Sequence, residues 1–218
     1  APLAVTAANA QRPYGAASPV FFGTLTGVTA GDDITATYAS TATALTQAGV
    51  YGPATAEAIV PALTDPAGRL ANYTITSTNG TLTIDQAPLT ITAASRSKTY
   101  GDAVAFAGTE FTAQGLLNTD TVTAVTLTSA GTPAIATVAG SPYAITPSAA
   151  VGTGLANYTI TYTDGALTVA PAPLAVTAAD AQRLYGAANP VFSGTLTGVT
   201  AGDDIIATYA STATGLTP

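Results

Sequence analysis

An all-β architecture of small sandwiches in tandem is predicted by three features of this sequence. The chain repeats itself: APLAVTAA at Ala1–Ala8 returns as APLTITAA at Ala87–Ala94 and as APLAVTAA at Ala172–Ala179. Apolar residues alternate with Thr and other polar residues over short runs, with no sustained 3.6-residue period, which is the pattern of half-buried strands. The β-formers Thr, Val, Ile, Tyr and Phe recur between turn-forming residues, among them 21 Gly and 14 Pro.

Each element follows from its own residues. The opening strand places Leu3, Val5 and Ala7 on one face and Ala4 and Thr6 on the other, and Leu89, Ile91 and Ala93 repeat that pattern. Tyr-Gly steps come next, at Tyr14-Gly15, Tyr100-Gly101 and Tyr185-Gly186. A glycine at positive φ in a tight turn, with the tyrosine capping the core and its hydroxyl outward, accounts for them. Further strands are expected at Val20–Thr26, Ile34–Ala39, Val122–Thr128 and Tyr143–Thr146. The polar steps Thr29–Ile34 and Leu117–Val122 each suit a turn or a single helical turn. Each unit then closes on a hairpin signal, Asn79-Gly80 and Asp164-Gly165, the residue pairs preferred in type I′ turns. Pairing outward sets Ser77 opposite Leu82, Ile75 opposite Ile84 and Tyr73 opposite Gln86, then Tyr162 opposite Leu167 and Ile160 opposite Val169.

The domain organisation expected from these repeats is a β unit at 1–86, a second at 87–171, and the first half of a third at 172–218. The first and third differ at only six aligned positions: Asn9/Asp180, Pro13/Leu184, Ser18/Asn189, Phe22/Ser193, Thr35/Ile206 and Ala44/Gly215. Such closeness points to duplication of a longer block. Units join at Asp85-Gln86-Ala87-Pro88 and Ala170-Pro171-Ala172-Pro173, where proline removes a ladder donor and favours extended backbone. An Ig-like sandwich is expected for each bead; the alternative is a β-grasp-like unit with one short helix around Leu117–Val122. The third unit stops before its counterpart of the Tyr73 region, and half a sandwich should not be stable alone. It is expected to be completed by the continuing chain or by strands from another chain.

Composition excludes several kinds of chemistry. There is no Cys, His, Met or Trp, so thiol and imidazole catalysis, zinc-finger ligation and disulfides are out. With 5 basic and 12 acidic residues and a net charge of −7, the chain lacks the clustered cations that a nucleic-acid backbone needs. No apolar run approaches the length of a membrane-spanning helix, and no basic stretch followed by an apolar core marks a signal peptide in this numbering. Ser and Thr have no base beside them, since the only lysine is Lys98 and G-x-S-x-G is absent. That single lysine also argues against a Lys–Asn isopeptide staple in every bead.

The remaining candidates read as structural. Asp32-Asp33 and Asp203-Asp204, with Asp120 at the corresponding place, lack the spacing of a calcium loop and suit solvated turns or caps. Adjacent carboxylates in a strand face opposite sides, which disfavours paired-acid glycosidase chemistry. Asn72, Asn79 and Asn157 head N-x-T sequons, but Asn79 is accounted for by its turn. No catalytic, cofactor-binding or metal-binding residue is therefore assigned, no cofactor is expected, and a ligand-binding set remains unassigned. Exposed Tyr14, Tyr38 and Tyr51 on one surface would favour a glycan platform; burial of their rings would count against it.

The motifs PLTITA at Pro88–Ala93, KTYGD at Lys98–Asp102, GLLNTDTV at Gly115–Val122 and NYTITYTDGALTV at Asn157–Val169 resemble the MBG-type repeats, of the Tyr-Gly variety, found in large secreted bacterial adhesins. The resemblance covers essentially the whole chain. Units one and three depart from it, with RPYGA and RLYGA where KTYGD is usual. It implies a tandem all-β surface protein at the bacterial cell surface or in its extracellular matrix. The expectation is a non-catalytic stalk or fibre segment that provides extension and spacing, with neighbouring repeats, identical chains or surface glycans as partners. A glycan-binding module and a filament subunit built by strand complementation are the alternatives.

Overall fold

The computed structural model describes residues 1–217. Strands dominate, and the helical content among the described residues is three single 3-10 turns at Leu70–Asn72, Val138–Gly140 and Leu155–Asn157. Two compact units are formed. One comprises Ala1–Thr92, Phe111–Thr126 and Pro147–Thr163; the other comprises Ala93–Glu110, Leu127–Thr146 and the chain from Asp164 onward.

In the first unit, β1 (Pro2–Ala7) lies between β3 (Gly23–Thr26), antiparallel, and β7 (Thr74–Thr78), parallel. After a bend at Ala8-Asn9 the chain enters a second sheet as β2 (Ala10–Pro13), parallel to β8 (Leu82–Asp85), which also pairs antiparallel with β5 (Gly49–Tyr51). A third, two-stranded sheet joins β4 (Thr35–Ala39) to β6 (Val60–Thr64). The register Pro2↔Thr74 continues as Ala10↔Leu82 without a slip, so β1–β2 and β7–β8 act as two long segments that bend together from one sheet into the next. Leu3, Val5 and Ala7 are buried as their alternation predicts, with Leu82, Ile84 and Ile59. Ile75 is on the exposed side.

The second repeat reuses this plan. In the first unit, β9 (Ala87–Ala93) takes β14 (Tyr158–Thr163) as its parallel partner and sits beside β11 (Phe111–Gln114). In the second unit, β10 (Arg96–Thr99) runs parallel to β15 (Gly165–Ala170). The latter pairs antiparallel with Tyr143–Ile145 at the start of β13 (Tyr143–Thr153), a strand whose residues from Pro147 belong to the first unit, as do residues 121–126 of β12 (Thr121–Thr128). Ala93, Ile145 and Leu167 form the core there, packed against Val104, Phe106, Leu127 and Tyr143. In the third repeat β16 (Ala175–Ala178) and β17 (Gly194–Thr197) form an antiparallel pair. Of the expected strands, Ile34–Ala39, Val122–Thr128 and Tyr143–Thr146 recur as β4, β12 and the start of β13, whereas Val20–Thr26 shortens to β3, with exposed Val20 outside any strand. The Leu117–Val122 step is a turn closed by Asp120 N–H on the Leu117 carbonyl at 3.2 Å, without a helix.

The two closing hairpins are not formed. Residues 74–78 and 82–85 belong to different sheets, and each runs beside the opening segment of its repeat. Gly80 has no positive φ, as a type I′ turn would demand. Its glycine is required by proximity instead: a Cβ there would lie 2.5 Å from the Ala8 carbonyl oxygen. Gly165 repeats the arrangement, with a Cβ falling 2.6 Å from the Ala93 carbonyl oxygen. At each bend one side chain satisfies the freed backbone donor, Asn9 Oδ1 accepting from Thr81 N–H at 2.8 Å and Ser95 Oγ from Ala166 N–H at 3.0 Å. Asn79 donates to the Pro53 carbonyl at 3.0 Å. Because backbone meets the added methyl, Gly80→Ala is expected to cost about 1–2 kcal/mol in urea unfolding. An Ala variant as stable as wild type would contradict the close approach.

Candidate functional site

The Tyr-Gly steps and the acidic turns, separate features in the sequence, meet across consecutive repeats. Within the first compact unit the turn at Tyr14-Gly15 has φ of +79° at the glycine, as its sequence predicts. The Tyr14 ring is 4% exposed and its hydroxyl donates to Asp120 Oδ2 of the second repeat at 2.9 Å. Tyr158 donates to the same oxygen at 2.8 Å, while its own oxygen accepts from Leu117 N–H at 2.8 Å. The two rings pack edge to face, 5.7 Å between centroids at 80°. One carboxylate thus receives two phenols, one from its own repeat and one from the repeat before it.

Surrounding contacts reinforce the joint. A Cβ on Gly15 would sit 2.7 Å from Leu117 Cδ1, so this position needs glycine for close approach as well as for its φ. Ala48 N–H donates to the buried Asn157 Oδ1 at 3.0 Å, and Gln86 Nε2 donates to the Ala156 carbonyl at 2.9 Å. Asn157 is therefore engaged in the fold. In the second unit the motif recurs: Gly101 has φ of +98°, a Cβ there would lie 3.1 Å from the Thr200 side chain, and Tyr100 donates to Asp203 Oδ1 at 2.7 Å. The first repeat carries the own-repeat half, with Tyr73 donating to Asp32 Oδ2 at 2.5 Å and accepting from Thr29 N–H at 2.9 Å.

Burial, then the hydrogen bond and negative charge of Asp120, push the Tyr158 phenol up to about 12, against the lowering effect of Leu117 N–H. The hydrogen bond to Asp203 is the main reason the Tyr100 phenol is raised. Raised phenols stay protonated, and thus remain donors, through neutral and mildly alkaline pH. For Tyr158 the folded state holds its proton more tightly than the unfolded state does, so its contribution is complete below about pH 10. It is lost as pH rises through the folded value of about 12. Urea melts are expected to show stability falling in that window, with a smaller fall in Tyr158→Phe; identical profiles would contradict this assignment.

Sequence reasoning missed a cation beneath each Tyr-Gly turn. Two residues before the tyrosine stand Arg12, Lys98 and Arg183, three of the five basic residues in the chain. Arg12 and Lys98 are buried and are served by carbonyls instead of carboxylates. Arg12 donates to the carbonyls of Pro13 and Thr43, Lys98 to those of Asp102 (2.9 Å) and Pro133, and Arg183 to Thr214. Desolvation lowers the Arg12 pKa from its ordinary value. The basic residue at a fixed offset in every repeat was the available signal.

The other candidates resolve simply. Tyr14 offers no open ring face for a sugar, and Tyr51 is half-buried with its hydroxyl on the Gln47 carbonyl at 2.9 Å. Among the described residues no three acidic groups converge as a metal site would require. No helix of the described residues is long and apolar enough to cross a membrane.

A family described as the MBG domain (YGX type) matches residues 3–83, 89–168 and 174–217. No curated protein and no solved structure matches the chain. The family consists of structural repeat modules associated with large extracellular surface proteins. With the Tyr-Gly turn present in all three matched segments, this chain belongs to the MBG domain family of the YGX type.

Proposed function

We propose that this chain is a non-catalytic segment of a bacterial surface adhesin stalk or extracellular fibre, whose task is extension and spacing. Its working repeats are 1–86, 87–171 and the third beginning at 172, each taken as an Ig-like bead. The observation that carries this reading is the shared carboxylate at the joint, where Asp120 accepts from Tyr14 of one repeat and Tyr158 of the next. Hydrogen bonds to a charged acceptor are worth about 1.5–3 kcal/mol, more than neutral ones. Placing one at a joint turns a loose tether into a fixed angle between neighbours, which is what a spacer requires. Polar groups that would otherwise serve chemistry are spent on that angle, in keeping with a chain that is not an enzyme.

The cysteine-free sequence allows clean spin labelling of the joint. Labels at Thr37 and Ser148, both exposed, report the first and second repeats within one compact unit. A narrow distance distribution is expected for the wild type and a broad one for Tyr14→Phe combined with Asp120→Ala. If the wild type is already as broad as the variant, the joint is a flexible tether and the spacer reading fails.

A further inference from the structure

Cys and Met are the usual first targets of oxidants, and this chain has neither. It also lacks His and Trp, which leaves the phenols of its ten tyrosines as the side chains that give up an electron most readily. A phenol oxidised by one electron releases its proton, so the reaction is helped where a base already accepts the hydroxyl hydrogen. Tyr14 and Tyr158 meet that condition together, at 2.9 and 2.8 Å from the same Asp120 Oδ2, and all three residues lie in one compact unit. Their rings are also the aromatic pair in contact among the described residues, 5.7 Å between centroids and 80° between planes. Both residues are buried, 4% and 3% exposed, so neither ring is open to a tyrosine of another molecule. Tyr51 and Tyr143 differ: they donate to the backbone carbonyls of Gln47 and Thr137, which are far too weakly basic to take up a proton.

We propose that Tyr14 and Tyr158 are an oxidative cross-linking site, where a one-electron oxidant sustained by a peroxide joins them as dityrosine, with Asp120 as proton acceptor. Each phenol gives one electron to the oxidant, and its proton passes to the Asp120 carboxylate and on to water. The two phenoxyl radicals join through ring carbons ortho to oxygen, making one C–C bond between the repeats. Each joined carbon then gives up its hydrogen as a proton while a proton returns to the phenoxyl oxygen, which restores both aromatic rings and both phenols. Two electrons and two protons are lost for one bond made, and a peroxide that takes them up is reduced at its O–O bond. The near-perpendicular ring planes suit the twisted biaryl product. Holding the pair in contact gives each radical its partner without a diffusional search. The result is a covalent staple between the first repeat and the second, beyond what spacing alone requires.

Photo-oxidation by tris(bipyridine)ruthenium(II) with persulfate, applied to the 218-residue polypeptide, tests the site. Trypsin cuts after Arg69, Arg96, Lys98 and Arg183 but not between Arg12 and Pro13, so the cross-link is expected to join peptides 1–69 and 99–183 with loss of two hydrogens. That linked pair is expected to vanish in Tyr14→Phe and in Tyr158→Phe, each of which keeps its ring, and in wild-type protein unfolded in urea. Asp120→Asn still accepts a hydrogen bond but takes up no proton, and is expected to slow linking by about a hundredfold, the lower end for loss of a positioned base. An Asp120→Asn protein that links as fast as wild type, or a linked pair that survives either Phe substitution, overturns the proposal. Absence of the pair from oxidised wild type also overturns it, and leaves the spacer reading standing if the spin-label distances are narrow.

Discussion

In a polypeptide of these 218 residues, replacing Pro218 with the Gln47–Gln86 sequence of the first repeat is expected to bury the third repeat's opening strand as β1 is buried in the first. The near-identity of the first and third repeats makes the graft a continuation of the same fold. Leu3 and Val5 are each 1% exposed because β7 and β8 lie alongside their segment, whereas Leu174 and Val176 are 45% and 57% exposed. Covering what remains exposed of these two side chains contributes on the order of 1 kcal/mol each, about half the value for full burial, before the gain from the parallel ladder. Amide exchange at Leu174–Ala178 is therefore expected to slow by orders of magnitude in the grafted protein. Exchange unchanged from that of the ungrafted polypeptide would show that closing strands do not protect this segment.

Asp120→Ala is expected to be the most damaging single change at a joint. It leaves the Tyr14 and Tyr158 hydroxyls without their shared acceptor, and each charge-assisted bond is worth about 1.5–3 kcal/mol. Their costs will not add fully because the two bonds share one oxygen. A loss of about 2–4 kcal/mol is expected in urea unfolding followed by tyrosine fluorescence, the chain having ten Tyr and no Trp. Asp120→Asn should recover part of that loss, since an amide oxygen still accepts. A loss below about 0.5 kcal/mol for the alanine variant, the level of an ordinary surface change, would remove the shared carboxylate from any structural role.

The strands of this fold were legible because alternation is a local property. Leu3, Val5 and Ala7, then Leu89, Ile91 and Ala93, needed no knowledge of partners to be placed in a core. Partner choice was not legible. Alternation around Asn79-Gly80 is satisfied equally by a hairpin and by a remote parallel strand, and the glycine carries the same letter whether it serves a positive φ or close approach. In the parallel pairing with β1 and β2 that forms instead, Leu82 and Ile84 are buried beside Ala10 and Arg12. The Tyr-Gly step was read correctly as a turn with its glycine at positive φ, but the hydroxyl expected to point outward bonds an aspartate 106 residues further on at the first joint and 103 at the second. No local spacing encodes such a contact; only its recurrence once per repeat does.

The parallel pairing of opening and closing segments in the first two repeats has a mechanical consequence. A chain that enters a repeat along β1–β2 leaves it along β7–β8 heading the same way. Tension applied through the two ends therefore slides these segments past one another and strains their ladder bonds together, in shear. An antiparallel closing hairpin would instead be opened bond by bond from its free end. The arrangement that defeated the hairpin reading is thus the one that makes a repeat resist being pulled.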